Sequence, residues 1–271
     1  MNSDIYAEQT LLNGELIPNS EICRLAFSGF AHFTALQVRD RKIKGMDLHL
    51  ERLRNASVSL FGKSLQDEVV RSYVRTALEK GPADLSLTVT IYSPEGEFTS
   101  ASMNIEPRVL IRTSAPSNGP DAPLKLAAIH HERPLANIKH VGEIGKTYYL
   151  HQAIRQGFDD AVFIDNNNRI SEGTIWNMAF WDGETIVWPK ADMLKGTMMA
   201  MVQRQLTKLN IPHRTDPVTP EDLSELKGAV VMNSWTPGIS VSEISSHKFP
   251  HSNELSVMLH NAYENEPAED V

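Results

Sequence analysis

One segment, from Lys139 to Asn177, constrains the fold of this 271-residue chain more than any other. After the lysine comes a run of helical character, Tyr148–Arg155, which Gly157 closes. A short apolar run, Ala161–Asp165, then has the length and composition of a buried strand. The segment therefore predicts a helix followed by a sheet strand, with polar residues left at the ends of the ordered elements.

The remainder of the chain shows the same mixture of short apolar runs and helical patterns. Apolar spacing of three to four residues predicts one helix beginning near Leu48, capped by Asp47, and a second over about 65–79. The dipeptide Asn13-Gly14 lies between two apolar pairs and indicates a hairpin. The other predicted elements are strands at Phe30–Val38, Leu85–Tyr92, Leu124–Ile129, Ile175–Phe180 and Ala229–Met232, and helices at Leu194–Leu209 and 253–263.

Residues 113–123 form the only stretch of any length that is rich in Pro, Gly and Ser. Such a composition is typical of a boundary between domains, and both flanks carry complete sets of helices and strands. We therefore predict a smaller domain over 1–113, a linker over 114–123 and a larger domain over 124–271. A long surface loop within one domain is the alternative.

Composition limits the partners and the compartment. The formal net charge is −8, which argues against a nucleic-acid partner because such proteins cluster Lys and Arg. Cys23 is the single cysteine, so no internal disulfide is possible and a reducing compartment is expected. Residues 1–6 lack the pattern of a secretory signal, and no apolar stretch is long enough to span a membrane. We expect a cytoplasmic protein without a membrane partner.

Several common kinds of site are excluded by pattern. The chain contains neither Gly-x-Gly-x-x-Gly nor a Walker loop, so the usual nucleotide cradles are absent. Its ten histidines follow no metal-binding spacing, and the adjacent His130 and His131 would point to opposite faces of a predicted strand. Cys23 is more readily explained by packing than by nucleophilic chemistry. No metal site is predicted.

What remains is polar chemistry near strand ends, and two residues stand out. Lys139 has the apolar neighbours Ile138 and Val141, and loss of hydration favours the neutral, nucleophilic amine of a lysine. A surface lysine with a solvated head is the alternative. Glu172, 33 residues further on, lies between Ser171 and Gly173. Its carboxylate could partner a ring nitrogen, or it could cap a turn.

The chain resembles the fold type IV (class IV) pyridoxal phosphate (PLP) enzymes over nearly its whole length. This family includes branched-chain aminotransferases, D-amino-acid aminotransferases and aminodeoxychorismate lyase. The resemblance implies a two-domain α+β fold with a smaller N-terminal domain and a larger pseudo-barrel domain, and a homodimer. The matching motifs are His49–Leu53, Lys139, Gly157–Ala161, Asp165, Ser171–Gly173 with Asn177, Leu194–Thr197, and Asn233–Thr236 with Ile239.

The resemblance also implies roles for individual residues. Lys139 would form the Schiff base with pyridoxal 5'-phosphate and later move the substrate proton. Glu172 would keep the ring nitrogen protonated, and Arg52 would bind the phosphate. The further cofactor-binding residues would be Asn177, Gly196, Thr197, Ser234, Trp235 and Thr236. Lys146 is a rival for the covalent lysine, but the family spacing of 18 residues before Gly157 is met by Lys139. Lys146 is expected to be solvated at the start of the helix.

Three departures from the family pattern bear on the reaction. In Leu194–Met199 the threonine is shifted by one position and an arginine is missing. Tyr92 stands where several aminotransferases carry arginine, and Ile144 stands where branched-chain enzymes carry tyrosine. Phe33-Thr34 resembles the corresponding pair of the lyase branch. Phe33, Thr34 and Tyr92 are thus the predicted substrate-facing residues.

The leading hypothesis is amino-group transfer between an amino acid and a 2-oxo acid. Release of pyruvate from an aminodeoxychorismate-like substrate is the alternative among enzymes. A non-catalytic PLP-binding relative is the third hypothesis, and it is favoured by the altered Leu194–Met199 turn.

Overall fold

Two β-sheets, of seven and nine strands, form the framework of the protein. The structure is a computed structural model that describes residues 10–17, 29–95, 100, 103, 105–121, 123–250 and 252–271. Cys23 and its predicted packing role lie outside these residues. The contacts divide the chain into two compact units. The first unit comprises the residues up to 117 together with 138–142 and 267–271, and the second comprises 118–137 and 143–266. The domain boundaries drawn from the sequence stay a prediction.

The strands are β1 (Thr10–Leu12), β2 (Glu15–Leu16), β3 (Ala31–Arg39), β4 (Lys42–Lys44), β5 (Leu85–Tyr92), β6 (Arg108–Ser114), β7 (Leu124–His130), β8 (Asp160–Ile164), β9 (Ile170–Gly173), β10 (Asn177–Trp181), β11 (Ile186–Pro189), β12 (His213–Asp216), β13 (Gly228–Asn233), β14 (Thr236–Ile244), β15 (His247–Lys248) and β16 (Ala268–Glu269). The helices are α1 (Met46–Phe61), α2 (Asp67–Lys80), α3 (Ile144–Arg155), α4 (Thr197–Lys208) and α5 (Glu254–Glu264), with a 3₁₀ turn at Glu221–Glu225.

The first unit is an antiparallel sheet in the order β16-β4-β3-β5-β6-β1-β2, packed against α1 and α2. The predicted hairpin at Asn13-Gly14 is confirmed by the pairing of β1 with β2. Strand β5 alternates buried and half-buried residues because one face lies on the core. The apolar positions of α1 face the core, since Leu53 and Ala56 are buried and Leu60 is partly buried. The core of this unit combines Leu50, Leu53, Val74, Ala77, Val89 and Ile111.

The second unit orders its sheet as β12-β11-β10-β13-β14-β7-β8-β9, with β15 paired to β14. Strands β7 and β8 run parallel, and α3 makes the crossover between them, as a parallel pair requires. Strands β8, β9 and β10 are almost entirely buried, so their sequences are apolar with a few enclosed polar residues. Among the residues placed by the structure, no helix is long and apolar enough to cross a membrane.

Three predicted boundaries are wrong in detail. Helix α1 begins at Met46, and its N-cap is Gly45 with φ 66° rather than Asp47, because glycine adopts the left-handed conformation at this entry. Helix α3 begins at Ile144, four residues before the predicted start. Helix α4 begins at Thr197, three residues after the predicted start at Leu194.

Two histidines are buried between α1 and β3. His49 Nδ1 lies 2.7 Å from Thr34 Oγ1, and His32 Nε2 lies 2.8 Å from Ser57 Oγ. Burial lowers the pKa of His49 to about 3 and that of His32 to about 4. Both rings are therefore neutral in the folded protein at neutral pH, and their hydrogen bonds fix α1 on the sheet.

The buried state of His49 predicts acid-dependent loss of stability. The unfolded chain takes up a proton as pH falls through 6.5, whereas the folded chain does not until about pH 3, so stability present above pH 6.5 is lost below it. Between pH 7 and pH 5 the wild type should lose about 2 kcal/mol more unfolding free energy than His49→Asn. Urea unfolding at both pH values measures this difference. The exposed-site variant His151→Asn serves as control and should follow the wild type. If His49→Asn lost as much unfolding free energy as the wild type between these pH values, His49 would not be a buried group that stays neutral.

Candidate active site

The second unit encloses a buried carboxylate that is paired with arginine. Glu172, on β9, is 4% exposed, and its Oε1 accepts a hydrogen bond of 2.7 Å from Arg133 Nε. Arg133 follows β7 and is itself buried. Its guanidinium also donates to Glu143 and, over 2.5 Å, to the carbonyl of Ala136. A charge-assisted, multiply anchored pair of this kind offsets the cost of burying a carboxylate and holds it in one orientation.

Lys146 belongs to the same cluster. Its Nζ lies 3.9 Å from Glu172 Oε2, and the residue is 9% exposed in the first turn of α3. The prediction of a solvated side chain was wrong, because the helix begins earlier than predicted and turns this residue inward. Burial lowers the pKa of Lys146, while the charge of Glu172 acts in the opposite direction.

A second enclosed carboxylate, Asp160, begins β8 in the same unit. Thr174 Oγ1 donates to it over 2.6 Å, Trp176 Nε1 over 2.8 Å and the backbone N–H of Ala161 over 2.7 Å. Burial raises the pKa of Asp160, and these donors partly offset that effect. The Thr174 and Trp176 donors tie the segment that follows β9 to β8 and fix the position of Trp176.

The turn before α4 is held by Asn177, the first residue of β10. Asn177 Nδ2 donates to the carbonyl of Leu194 over 2.7 Å. A Cβ added at Gly196 would lie only 1.9 Å from Asn177 Oδ1, so this position has room for glycine alone. Gly196 is the N-cap of α4 and Thr197 its first residue, so the N–H groups of a 12-residue helix start here. Such a helix start is suited to an anion.

The predicted residues Ser234, Trp235 and Thr236 lie at the β13–β14 connection. Asn233 Oδ1 accepts a hydrogen bond of 2.8 Å from the backbone N–H of Trp235. The Trp235 ring meets the Trp176 ring edge-on, with centroids 5.9 Å apart. Ser234 is half-buried and Thr236 is buried. Asn177, which holds the turn before α4, pairs with Met232 across β10 and β13. This turn and the β13–β14 connection therefore lie on the same sheet.

The first unit contains the other predicted residues. The segment 138–142 lies along β3, where the Phe33 N–H donates to the Lys139 carbonyl over 2.9 Å and the Val141 N–H donates to Ala31 over 2.8 Å. Lys139 Nζ lies 4.8 Å from the centre of the Phe33 ring, a cation–π distance. The hydroxyl of Thr34 is engaged by His49.

The remaining two predicted residues of this unit differ in exposure. Tyr92 is fully buried at the end of β5. Arg52 lies on α1 and is half-buried, and burial lowers its pKa to about 10.

The donor set fits PLP. A buried, cation-paired carboxylate such as Glu172 suits a protonated ring nitrogen. The helix start at Gly196, closed to any side chain, and the hydroxyls of Thr197 and Ser234 suit a phosphate. In the described parts of the chain, no three His, Cys, Asp or Glu side chains come together as a metal site.

Two members of the buried cluster were missed by reasoning from the sequence. Arg133, which directly precedes Pro134, was not singled out, and Lys146 was assigned to solvent. The residue pattern of β7 gives no indication about Arg133, because Arg133 lies three residues beyond the end of the strand. Its role depends on a contact with β9 that is distant in the sequence.

Comparison with known structures defines the fold. A branched-chain aminotransferase from Thermoproteus uzoniensis, crystallised with norvaline, superimposes with a TM-score of 0.81 at 16% identity, over 94% of each chain. A putative 4-amino-4-deoxychorismate lyase from Legionella pneumophila gives 0.80 at 17% identity, over 90% of this chain and 93% of that one. A branched-chain amino acid aminotransferase from Escherichia coli gives 0.81 at 16% identity, over 95% and 93%. The expected α+β, fold type IV architecture is confirmed.

The family follows from the sequence match. The model of the class IV aminotransferases matches residues 31–244, and the chain belongs to this family. Class IV aminotransferases bind pyridoxal phosphate, and similar structures include one with pyridoxamine 5'-phosphate, so the expected cofactor is confirmed at the level of the family. A search of the curated proteins found no match. These comparisons include both transferases and a lyase.

The close approach at Gly196 generates a prediction. In Gly196→Ala the new Cβ would meet Asn177 Oδ1 and must displace the turn that precedes α4. PLP affinity, measured by titration of the apoprotein, should fall at least about tenfold, the equivalent of one lost charge-assisted contact. Gly228→Ala is the matched control, because its nearest neighbour would be Trp181 Cβ at 3.8 Å. Unchanged affinity in Gly196→Ala would show that the turn does not contribute to binding.

Proposed function

We propose that the protein is a PLP-dependent aminotransferase that moves an amino group between an amino acid and a 2-oxo acid, with Lys139 as the covalent lysine. The observation that carries this proposal is the buried Glu172, held by Arg133 Nε at 2.7 Å. A buried carboxylate is costly unless it is paired and hydrogen-bonded, and Arg133 both pairs and orients this one. The family resemblance implies that it partners the cofactor ring nitrogen.

The bound cofactor supplies an electron sink that accepts the electrons left when the substrate Cα loses its proton. Glu172 holds the ring nitrogen in its protonated form, and Arg133 keeps the carboxylate in place. Lys139, once the substrate has displaced it, would move the proton from the substrate Cα to C4′ of the cofactor. Arg52 and the backbone N–H groups at the start of α4 would bind the phosphate, with hydroxyls from Thr197, Ser234 and Thr236 as further donors. The Trp235 backbone N–H, predicted as another donor, is engaged by Asn233 Oδ1.

The size of the cofactor favours Lys139 over Lys146. Its aldehyde carbon lies about 4 Å from the ring nitrogen with ordinary bond lengths, and a hydrogen bond to a carboxylate adds about 2.8 Å. The covalent lysine should therefore lie about 7 Å or more from the carboxylate that serves the ring nitrogen. Lys146 Nζ lies only 3.9 Å from Glu172 Oε2, which is too close to the carboxylate for the covalent lysine. Lys139 also meets the family spacing before Gly157.

A lyase that releases pyruvate from an aminodeoxychorismate-like substrate is the second candidate. The pair Phe33-Thr34 favours it, as does the buried Tyr92 in place of an arginine that could bind a substrate carboxylate. A non-catalytic PLP-binding relative is the third candidate, favoured by the turn at Leu194–Met199. We further propose a homodimer in the cytoplasm, in keeping with the family resemblance and the single cysteine.

Borohydride trapping tests the covalent lysine. The purified protein should show the visible band of lysine-bound PLP, and borohydride should bleach it. Peptide mapping should then find the cofactor on Lys139. Lys139→Met should abolish both the band and the labelled peptide, whereas the matched variant Lys146→Met should keep them. A wild type that takes up no PLP would end the enzyme proposal, and label on Lys146 would reverse the assignment of the lysine.

A half-reaction screen separates transfer from lyase activity. Single amino acids should convert the visible band to the amine form of the cofactor in a transferase, with formation of one 2-oxo acid per site. Pyruvate release from aminodeoxychorismate without that conversion would support the lyase instead. Band formation with neither reaction would support the non-catalytic relative.

A further inference from the structure

Lys146 is the one member of the buried cluster to which the proposed reaction gives no task. The cluster contains two cations, Arg133 and Lys146, and the carboxylates Glu143 and Glu172, with Asp160 as a third carboxylate that acts on Lys146. Arg133 donates to three separate acceptors and is fixed in place. Lys146 is joined to Glu172 at 3.9 Å, which is an ion-pair distance and longer than a hydrogen bond. Lys146 is thus the less tightly held cation.

Its position is unfavourable for a charged amine without acidic neighbours. The side chain is buried, and it lies in the first turn of α3, where the helix dipole opposes a cation. The groups that face it are Glu172 on β9, Arg133 after β7, Glu143 at the start of α3, Asp160 on β8 and His131. Burial is the largest cause of its lowered pKa, and Glu172 is the largest opposing influence. The ammonium form of Lys146 therefore depends strongly on Glu172. Glu172 is already paired with Arg133, so it depends less on Lys146.

We propose that Lys146 is a positioning residue that substitutes for the cofactor ring nitrogen, supplying the positive charge at Glu172 Oε2 until a protonated ring nitrogen takes that role. The inference rests on the proposed function, which assigns the ring nitrogen to Glu172. A protonated ring nitrogen would add a positive charge at Glu172, where Lys146 already places one 3.9 Å from Oε2. Lys146 and the ring nitrogen consequently compete for one carboxylate oxygen. Lys146 stabilises the apoprotein and weakens cofactor binding.

The test is a comparison of affinities for two ligands. PLP and its carbocyclic analogue, in which a benzene ring replaces the pyridine, share the aldehyde and the phosphate and differ only at the ring nitrogen. Lys146→Met leaves the cluster with a net negative charge, so its affinity for PLP should rise about tenfold, as expected for one buried charge interaction. Its affinity for the analogue should not rise. Calorimetric titration of the apoproteins measures both, and the apoprotein of Lys146→Met should melt at a lower temperature than the wild type.

Matched variants make the comparison specific. Lys146→Arg keeps the charge and should bind PLP as the wild type does, whereas Lys146→Gln removes it and should repeat the gain if the methionine variant fails to fold. Lys208→Met removes an exposed lysine near the end of α4 and should change neither affinity. An unchanged or lower PLP affinity in both neutral variants, or an equal gain for the analogue, would overturn the inference. A wild type that binds neither ligand would instead overturn the proposed function.

Discussion

The ion pair between Arg133 and Glu172 is the interaction on which the second unit's site depends. Burial of a lone carboxylate would cost several kcal/mol or force it to take up a proton. Arg133 prevents both, because its guanidinium reaches Glu172, Glu143 and a backbone carbonyl at once. The loop after β7, the start of α3 and strand β9 are thereby fixed together. Lys146 becomes buried as a consequence of this arrangement.

The anchoring of the turn before α4 also depends on one buried polar side chain. Asn177 uses its amide to hold the Leu194 carbonyl, and the lack of a side chain at Gly196 lets the two segments approach. The register of β10 with β13 then places the Ser234–Thr236 connection on the same sheet. With the threonine displaced and the arginine missing, the Leu194–Met199 turn presents mainly the backbone N–H groups at the start of α4.

The sequence predicted the local features well and the long-range ones poorly. Strand β5 matched its prediction at both ends, because alternation of buried and half-buried residues is a strong local signal. Helix α1 was predicted, but its start was misplaced. Its N-cap is Gly45 in the left-handed conformation, and no side chain caps the helix there. Family motifs pointed to Glu172 and Asn177. Arg133 and Lys146 could not be predicted, since their burial follows from contacts between β7, α3 and β9 that no spacing along the chain encodes.

The central claim is that Glu172, held ionised by Arg133, keeps the cofactor ring nitrogen protonated. Nitrogen-15 NMR of the protein loaded with ring-labelled PLP measures this protonation directly. The wild type should show the chemical shift of a protonated pyridine, and Glu172→Gln should show that of a neutral one while still retaining cofactor. A neutral ring in the wild type, or a protonated ring that persists in Glu172→Gln, would contradict the account.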